Sequence, residues 1–214
     1  MRILKVSIIF LIVSMLSGCS VSKGNADELN NSAEKTNGVS YEEEERKQEE
    51  RSKQTLWTVL DADGNDKEML SENNSEDVKK VMKLINEHCV LVDNRDFKKL
   101  KVEDEYNLYN DTFIKALNKG DYKKSVQAMY ESNKLALKHE NLIWYRNYFN
   151  EDITTCKVTV ESEFTIKEAN NEYLNKNKMS LEEVYQEKRI YYLEKNNNEW
   201  KIINIEKGAL TKRN

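Results

Sequence analysis

The stretch Thr155–Ile166, TCKVTVESEFTI, alternates apolar and polar residues with a period of two. Cys156, Val158, Val160, Phe164 and Ile166 fall on one side, and Lys157, Thr159, Glu161, Glu163 and Thr165 on the other. Successive side chains of a strand point to opposite faces, so this run predicts a long antiparallel strand with one face on a core and one in water. Downstream, VYQEKRIYYLE and EWKIINIE predict two more strands, joined at KNNN, where asparagines tolerate the positive φ of a tight hairpin turn. Just upstream, LIWYRNYF is aromatic and branched and reads as a further strand.

Further upstream the period becomes helical. Val78, Val81, Met82, Ile85, Cys89 and Val92 recur at steps of three and four, with Asn74 or Ser75 as N-cap and Glu76 and Asp77 in the first turn. Val102, Tyr106, Tyr109, Phe113 and Leu117 predict a second helix, stopped by a left-handed residue at Gly120. Asp121 is then the expected cap of a third helix carrying Tyr122, Val126, Met129 and Tyr130. Helices first and a meander after them make the fold class α+β, with the helices packed on one side of an antiparallel sheet.

Of the 214 residues, 38% are hydrophobic and 34% charged, which suffices for one core of ordinary size. Lys and Arg number 34 against 38 Asp and Glu, and the signs are interspersed. No long basic face of the kind a phosphate backbone needs is present, so nucleic acid is not an expected partner.

The amino terminus sets the expected address. Arg2 and Lys5 precede an apolar run from Val6 to Met15, which as a helix reaches about 15 Å, half of a bilayer's hydrocarbon core. A short basic region, a short apolar region and small residues mark an export signal. The run ends in LSGC, Leu16 to Cys19, which resembles the lipobox of bacterial lipoproteins. That resemblance implies a diacylglyceryl group on the Cys19 thiol and signal-peptidase cleavage between Gly18 and Cys19. The acyl chains would make the membrane a partner and hold the chain on the extracytoplasmic face; two chains or more give persistent attachment where one gives only marginal binding.

From Ser20 to about Gln54 large apolar residues nearly vanish, so this segment cannot bury enough surface to offset its ordering entropy. Glu42 with Arg46 and Glu43 with Lys47 have i,i+4 spacing, compatible with a solvated helix, but the a and d positions of a coiled coil are not apolar. Asp61–Glu68 has the acidity of a calcium loop without its register, since Gly64 falls at position 4 instead of 6. A turn with Asp63-Gly64 at its tip is the expectation there.

The helices followed by RIYYLEKNNNEWKIINIEKG resemble the nuclear transport factor two-like domain, whose cone is a curved antiparallel sheet wrapped over helices. The resemblance covers 75–208 and implies an interior that holds a small molecule, supports catalysis or is filled. The expected organisation is a signal over 1–18, a lipidated N-terminus and charged tether over 19–56, a short hairpin or linker over 57–74, the cone domain over 75–208 and a polar tail over 209–214.

Candidates for chemistry are few. Tyr106, Tyr109 and Trp144 are candidates to line a cone pocket, although at their spacing they also read as core. His88 and Cys89 are adjacent on a helix, about 100° apart, and no CxxC or HxxxH accompanies them, so no metal site is expected. His139 falls in a polar helix-to-strand junction. Cys89 and Cys156 either bridge as a disulfide or stay free as small hydrophobes. No catalytic residue and no cofactor is assigned. The expectation is a lipid-anchored extracytoplasmic bacterial protein, a non-enzymatic binding or accessory module with a protein partner in an envelope process; the alternative is a small-molecule isomerase or hydrolase using the cone cavity.

Overall fold

The computed structural model describes residues 57–213. The expected signal, Cys19 with its expected cleavage site, and the expected charged tether lie outside the described residues. Among the described residues no helix is long and apolar enough to cross a membrane.

The chain is α+β, a curved and unclosed sheet with helices packed against one face. In order it forms β1 (Trp57–Leu60), β2 (Asp66–Leu70), α1 (Glu76–Asp93), a 3-10 helix (Val102–Leu108), α2 (Asp111–Lys119), α3 (Tyr122–Asn133), β3 (Ala136–Trp144), β4 (Asn147–Phe149), β5 (Thr155–Glu168), α4 (Asn171–Asn177), β6 (Val184–Asn196) and β7 (Glu199–Lys212). The sheet order is β2-β1-β4-β5-β6-β7, with β3 also on β5.

The opening stretch lies in β5, the strand on which the sheet is built. β4 pairs its first residues and β3 the remainder, so β3 and β4 form one interrupted strand along one edge of β5. Asn147 spans the interruption by accepting the Thr159 N–H on its side-chain oxygen at 2.8 Å, in place of a ladder carbonyl. The other edge of β5 pairs with β6 over its length, and β6 with β7. The β6–β7 turn is left-handed at Asn197 and Asn198, with φ of 51° and 64°, which is the hairpin expected at KNNN.

Residues 57–74 carry more than a connector. β1 and β2 form a hairpin, and β1 runs parallel to β4, with Trp57 opposite Asn147 and Val59 opposite Phe149. Trp57 and Val59 thereby enter the main core. The turn closes on Asp61, whose Oδ1 accepts from Asp63 N and Asn65 N at 3.0 and 2.8 Å, while Gly64 takes a φ of 86°. At the far end the strand continues through 209–212, where a polar tail was expected.

Three expectations need correction. The periodic run from Val102 to Leu117 is not one helix. Tyr109 is extended and bridges to Ile202, and the Asn110 side chain accepts the Phe113 N–H at 2.7 Å, capping a new helix. The apolar period survives across the break because the 3-10 segment and α2 face the same core. Gly120 has an ordinary φ of −88°; the left-handed residue is Asp121, which makes no side-chain cap bond to α3. Lastly, β5 is not wet along the whole of its second face. Glu163 and Thr165 are buried, Glu163 under Arg213 and Thr165 bonded through its hydroxyl to Glu140.

The Asn110 cap yields a first prediction. Asn110→Ala removes the acceptor for Phe113 N and the 2.8 Å bond from Asn110 Nδ2 to Glu194, and should destabilise the domain by about 1 kcal/mol in urea unfolding, while Asn110→Asp keeps the cap acceptor but sets a carboxylate against Glu194 and should recover only part of the loss.

Candidate functional site

The inner face of the sheet is divided by a polar belt. Along β5, Cys156, Val158 and Val160 belong to one apolar cluster and Phe164 and Ile166 to another, with Ser162 between them. Along β6, Leu193 and Tyr191 belong to the first and Tyr185 to the second, with Arg189 and Glu187 between. Asp93, the last residue of α1, meets this belt. Arg189 Nη2 and Nη1 donate to its two carboxylate oxygens at 2.6 and 2.9 Å, and Ser162 Oγ donates to Oδ2 at 2.6 Å. Arg189 Nε donates to Glu187 at 2.7 Å, and Lys207 closes the belt 3.2 Å from Glu187. Arg189 and Asp93 are each 1% exposed. Burial works against both charges, and each overrides that penalty in the other: Arg189 holds the Asp93 carboxyl well below its ordinary range, and Asp93 holds the guanidinium well above.

A second polar chain crosses the interior, which the cone resemblance allows to be either a pocket or filled. His88 Nε2 lies 2.8 Å from Tyr109 Oη, and His88 Nδ1 lies 2.9 Å from Tyr191 Oη. Tyr109 donates to Glu105 Oε2 at 2.6 Å, while Arg95 and Tyr122 also bond Glu105. Cys89 Sγ sits 3.2 Å from Tyr191 Oη. These contacts fix the direction of every proton. Glu105, paired with Arg95, only accepts, so the single Tyr109 hydrogen points to it and Tyr109 accepts from His88 Nε2–H. In the neutral ring Nδ1 then carries the lone pair and receives the Tyr191 hydrogen. Tyr191 in turn accepts from the Cys89 thiol.

The ring is neutral for physical reasons. Burial first, then the positive charges of Arg189, Lys207 and Arg95, push the His88 pKa well below its usual value, opposed by Asp93. Burial, with the Glu105 charge behind it, lifts Tyr109 well above its own, and burial also raises Tyr191 and Cys89. Every group in the chain is therefore held in its neutral form except the Arg95–Glu105 pair.

The sequence-designated residues end in different places. Tyr109 is in this chain. Tyr106 is half-buried, with its hydroxyl 3.2 Å from Asn118, and Trp144 packs against Trp57 with ring centroids 5.9 Å apart. None of the three lines either described cavity. His88 and Cys89, 100° apart on α1, nonetheless converge on one atom, because the Tyr191 hydroxyl reaches between them. His139 is on β3 rather than in a junction, with Nδ1 3.6 Å from Asp93 Oδ2. Cys89 and Cys156 do not form the disulfide considered above: both are free and buried, and the Cys89 thiol is directed to Tyr191. Glu105 and Arg189 were not singled out from the sequence.

The sheet's opposite face carries the open space. A groove of about 930 Å³ runs between the β1–β2 turn and the outer surface of β4, β5 and β6. Tyr148, Lys157 and Tyr192 form a cross-strand row on its floor, and Asp61, Asp66 and Arg146 stand at its side. Lys157 Nζ lies 5.8 Å from the Tyr192 ring centre, and Arg146 lies over Tyr148 while bonding Asp66. The described helices that reach the sheet contribute to the two inner clusters, on the other side.

No family model matches the chain, and no curated protein matches it. Among solved structures it is similar to an IcmL-like type IV secretion system protein from Legionella pneumophila subsp. pneumophila str. Philadelphia 1, at 11% identity and a TM-score of 0.42, over 65% of this chain and 94% of that one. It is also similar to the intermembrane space region of the chloroplast protein ARC6, at 12% identity and a TM-score of 0.36, over 63% of this chain and 98% of that one.

Proposed function

We propose that this protein is a lipid-anchored, extracytoplasmic, non-enzymatic docking module that engages a protein partner in a bacterial envelope process. The anchor is Cys19, its thiol lipidated before cleavage behind Gly18, and the folded unit is a nuclear transport factor two-like cone at the end of a charged tether. The observation that carries the reading is the division of labour between the faces of the sheet. Inside, the imidazole, phenols, thiol and carboxylates of the two polar chains are bonded to one another; outside, an open groove presents Tyr148, Lys157 and Tyr192. Tyrosine and arginine are the residues that interface centres favour, and Tyr192 and Tyr148, with Arg146 over the Tyr148 ring, supply them here. A tether of residues 19–56 spans about 30 to 40 Å if coil, so the anchored domain samples a shell close to the membrane at high effective concentration.

Photo-crosslinking in intact cells tests this. A photoreactive residue at position 192 should give a discrete protein adduct, and one at exposed Lys134, on the helical side, should not. Cys19→Ala should shift the protein out of the membrane fraction and reduce the adduct. Equal labelling from both positions, or unchanged membrane retention of Cys19→Ala with normal cleavage, would contradict the proposal.

A further inference from the structure

His88 is 1% exposed and lies between two walls of unequal strength. On its Nδ1 side stands Tyr191 of β6, a strand paired along both edges, with Val158 of β5 and Ile205 of β7 opposite Tyr191. On its Nε2 side stands Tyr109, in the segment Val102–Lys119 that comprises the 3-10 helix and α2. That segment meets the sheet at the Tyr109–Ile202 bridge, with Asn110 N donating to Ile202 O at 3.0 Å, and through Lys201 Nζ on Asn107 O at 2.8 Å. Asn110 Nδ2 also donates to Glu194 of β6 at 2.8 Å, Arg95 pairs with Glu105 and Lys123 with Glu103, and the rest of its attachment is apolar packing and the Glu105–Tyr109–His88 chain.

We propose that Val102–Lys119 is an acid-released cap: it closes over His88 only while the imidazole is neutral, and taking up one proton there is coupled to its detachment from the sheet.

The hydrogen-bond directions give the reason. A second ring proton would have to sit on Nδ1, where the Tyr191 hydrogen already points. Tyr191 would then have to turn its hydrogen to Cys89, whose thiol hydrogen already points back at it. The added charge would also be sealed from water. The charged groups facing it are Arg95 beyond α1, Arg189 on β6 and Lys207 on β7, against Asp93 at the end of α1 and Glu105 on the 3-10 helix. Glu105 is 3.9 Å from Nε2, but it is already neutralised by Arg95 and accepts from Tyr109 and Tyr122. Cys89, Tyr109, Tyr122 and Tyr191 surround the ring as neutral groups. Lifting the cap lets water reach the imidazole, and of the two walls it is the one with few backbone ties.

The sign follows from linkage. The closed state binds no proton on His88 and the open state binds one below the ordinary histidine value, so the closed form is favoured above about pH 6.5 and loses that advantage as pH falls. One proton per opening makes the opening constant rise about tenfold per pH unit below that point. Hydrogen exchange on the intact chain, corrected for intrinsic rates, reads this. Amides of α2 at Lys115, Ala116 and Leu117 should open roughly tenfold or more often than those of β5 at Val158 and Val160, and with the stated pH slope. His88→Gln should flatten the slope, while His139→Gln should leave it. Opening constants identical for α2 and β5 at every pH, measured on the unmodified protein, would overturn the cap. So would an α2 slope that is absent, or one lost with His139 rather than His88.

Discussion

Arg189→Ala should cost about 3 to 5 kcal/mol of stability, a large share of what a domain of this size has. The loss comes less from the missing attraction than from what remains. Asp93 is 1% exposed, and without Arg189 its carboxylate is left in the interior with Ser162 and a histidine 3.6 Å away. The companion variant distinguishes the two effects. Asp93→Leu with Arg189→Met removes both charges and should recover most of the loss, since a buried pair exchanged for apolar residues of similar volume is often neutral or better. Urea unfolding midpoints of the three proteins decide it, and equal losses in single and double variants would contradict the belt. The pH dependence of the single variant is a second readout. The folded Asp93 pKa is depressed, so its contribution to stability is present above the ordinary carboxylate value near 4 and lost as pH falls through and below it. In Arg189→Ala that acid-sensitive contribution should shrink.

Trp57→Ala should cost a comparable amount, about 3 to 5 kcal/mol, although it lies ahead of the segment that the sequence marks as the folded domain. The indole is 1% exposed and packs at 5.9 Å from Trp144 and 5.6 Å from Phe149, centroid to centroid. β1 joins the sheet by a short parallel pairing with β4, so backbone bonds alone give it little hold, and Trp57 is the largest of the hairpin side chains, with Val59 and Leu70, that anchor it in the core. Thermal unfolding of Trp57→Ala and Trp57→Phe should show a large and a small loss respectively. A loss under about 1 kcal/mol for the alanine variant would mean that the hairpin is an appendage.

The reading from residues to fold works best where a single period runs uninterrupted. α1, the β5 alternation and the asparagine turn at 197–198 follow from spacing and backbone preference alone. It fails where a period is shared by two elements: Tyr109 and Phe113 face one core from either side of a break, and the break was encoded in Asn110, a strong N-cap inside the apolar repeat. The hairpin at 57–70 joins the sheet through a partner more than eighty residues away, and no local pattern encodes a parallel neighbour.

The interior chemistry was legible only in part. In TCKVTVESEFTI the inward list skips one position, Ser162, and in RIYYLE the residue in phase with Tyr191 and Leu193 is Arg189. A polar residue in an apolar phase on two strands was the available sign of a belt between two clusters. Glu105 gave no such sign, because a glutamate between Asp104 and Tyr106 on a short helical segment looks like solvent surface until the fold brings Arg95 to it. The groove was not foreseeable either, since its floor combines three strands and its side a turn from the far end of the sheet.

The central claim is that the inside of the sheet is closed by a polar chain with one fixed direction, which leaves the outer face as the working surface. Ring nitrogen NMR of His88 tests it most directly. At pH 7 the account predicts a neutral imidazole protonated on Nε2, with Nδ1 accepting a hydrogen bond. A ring protonated on Nδ1 alone, or on both nitrogens at that pH, would contradict it.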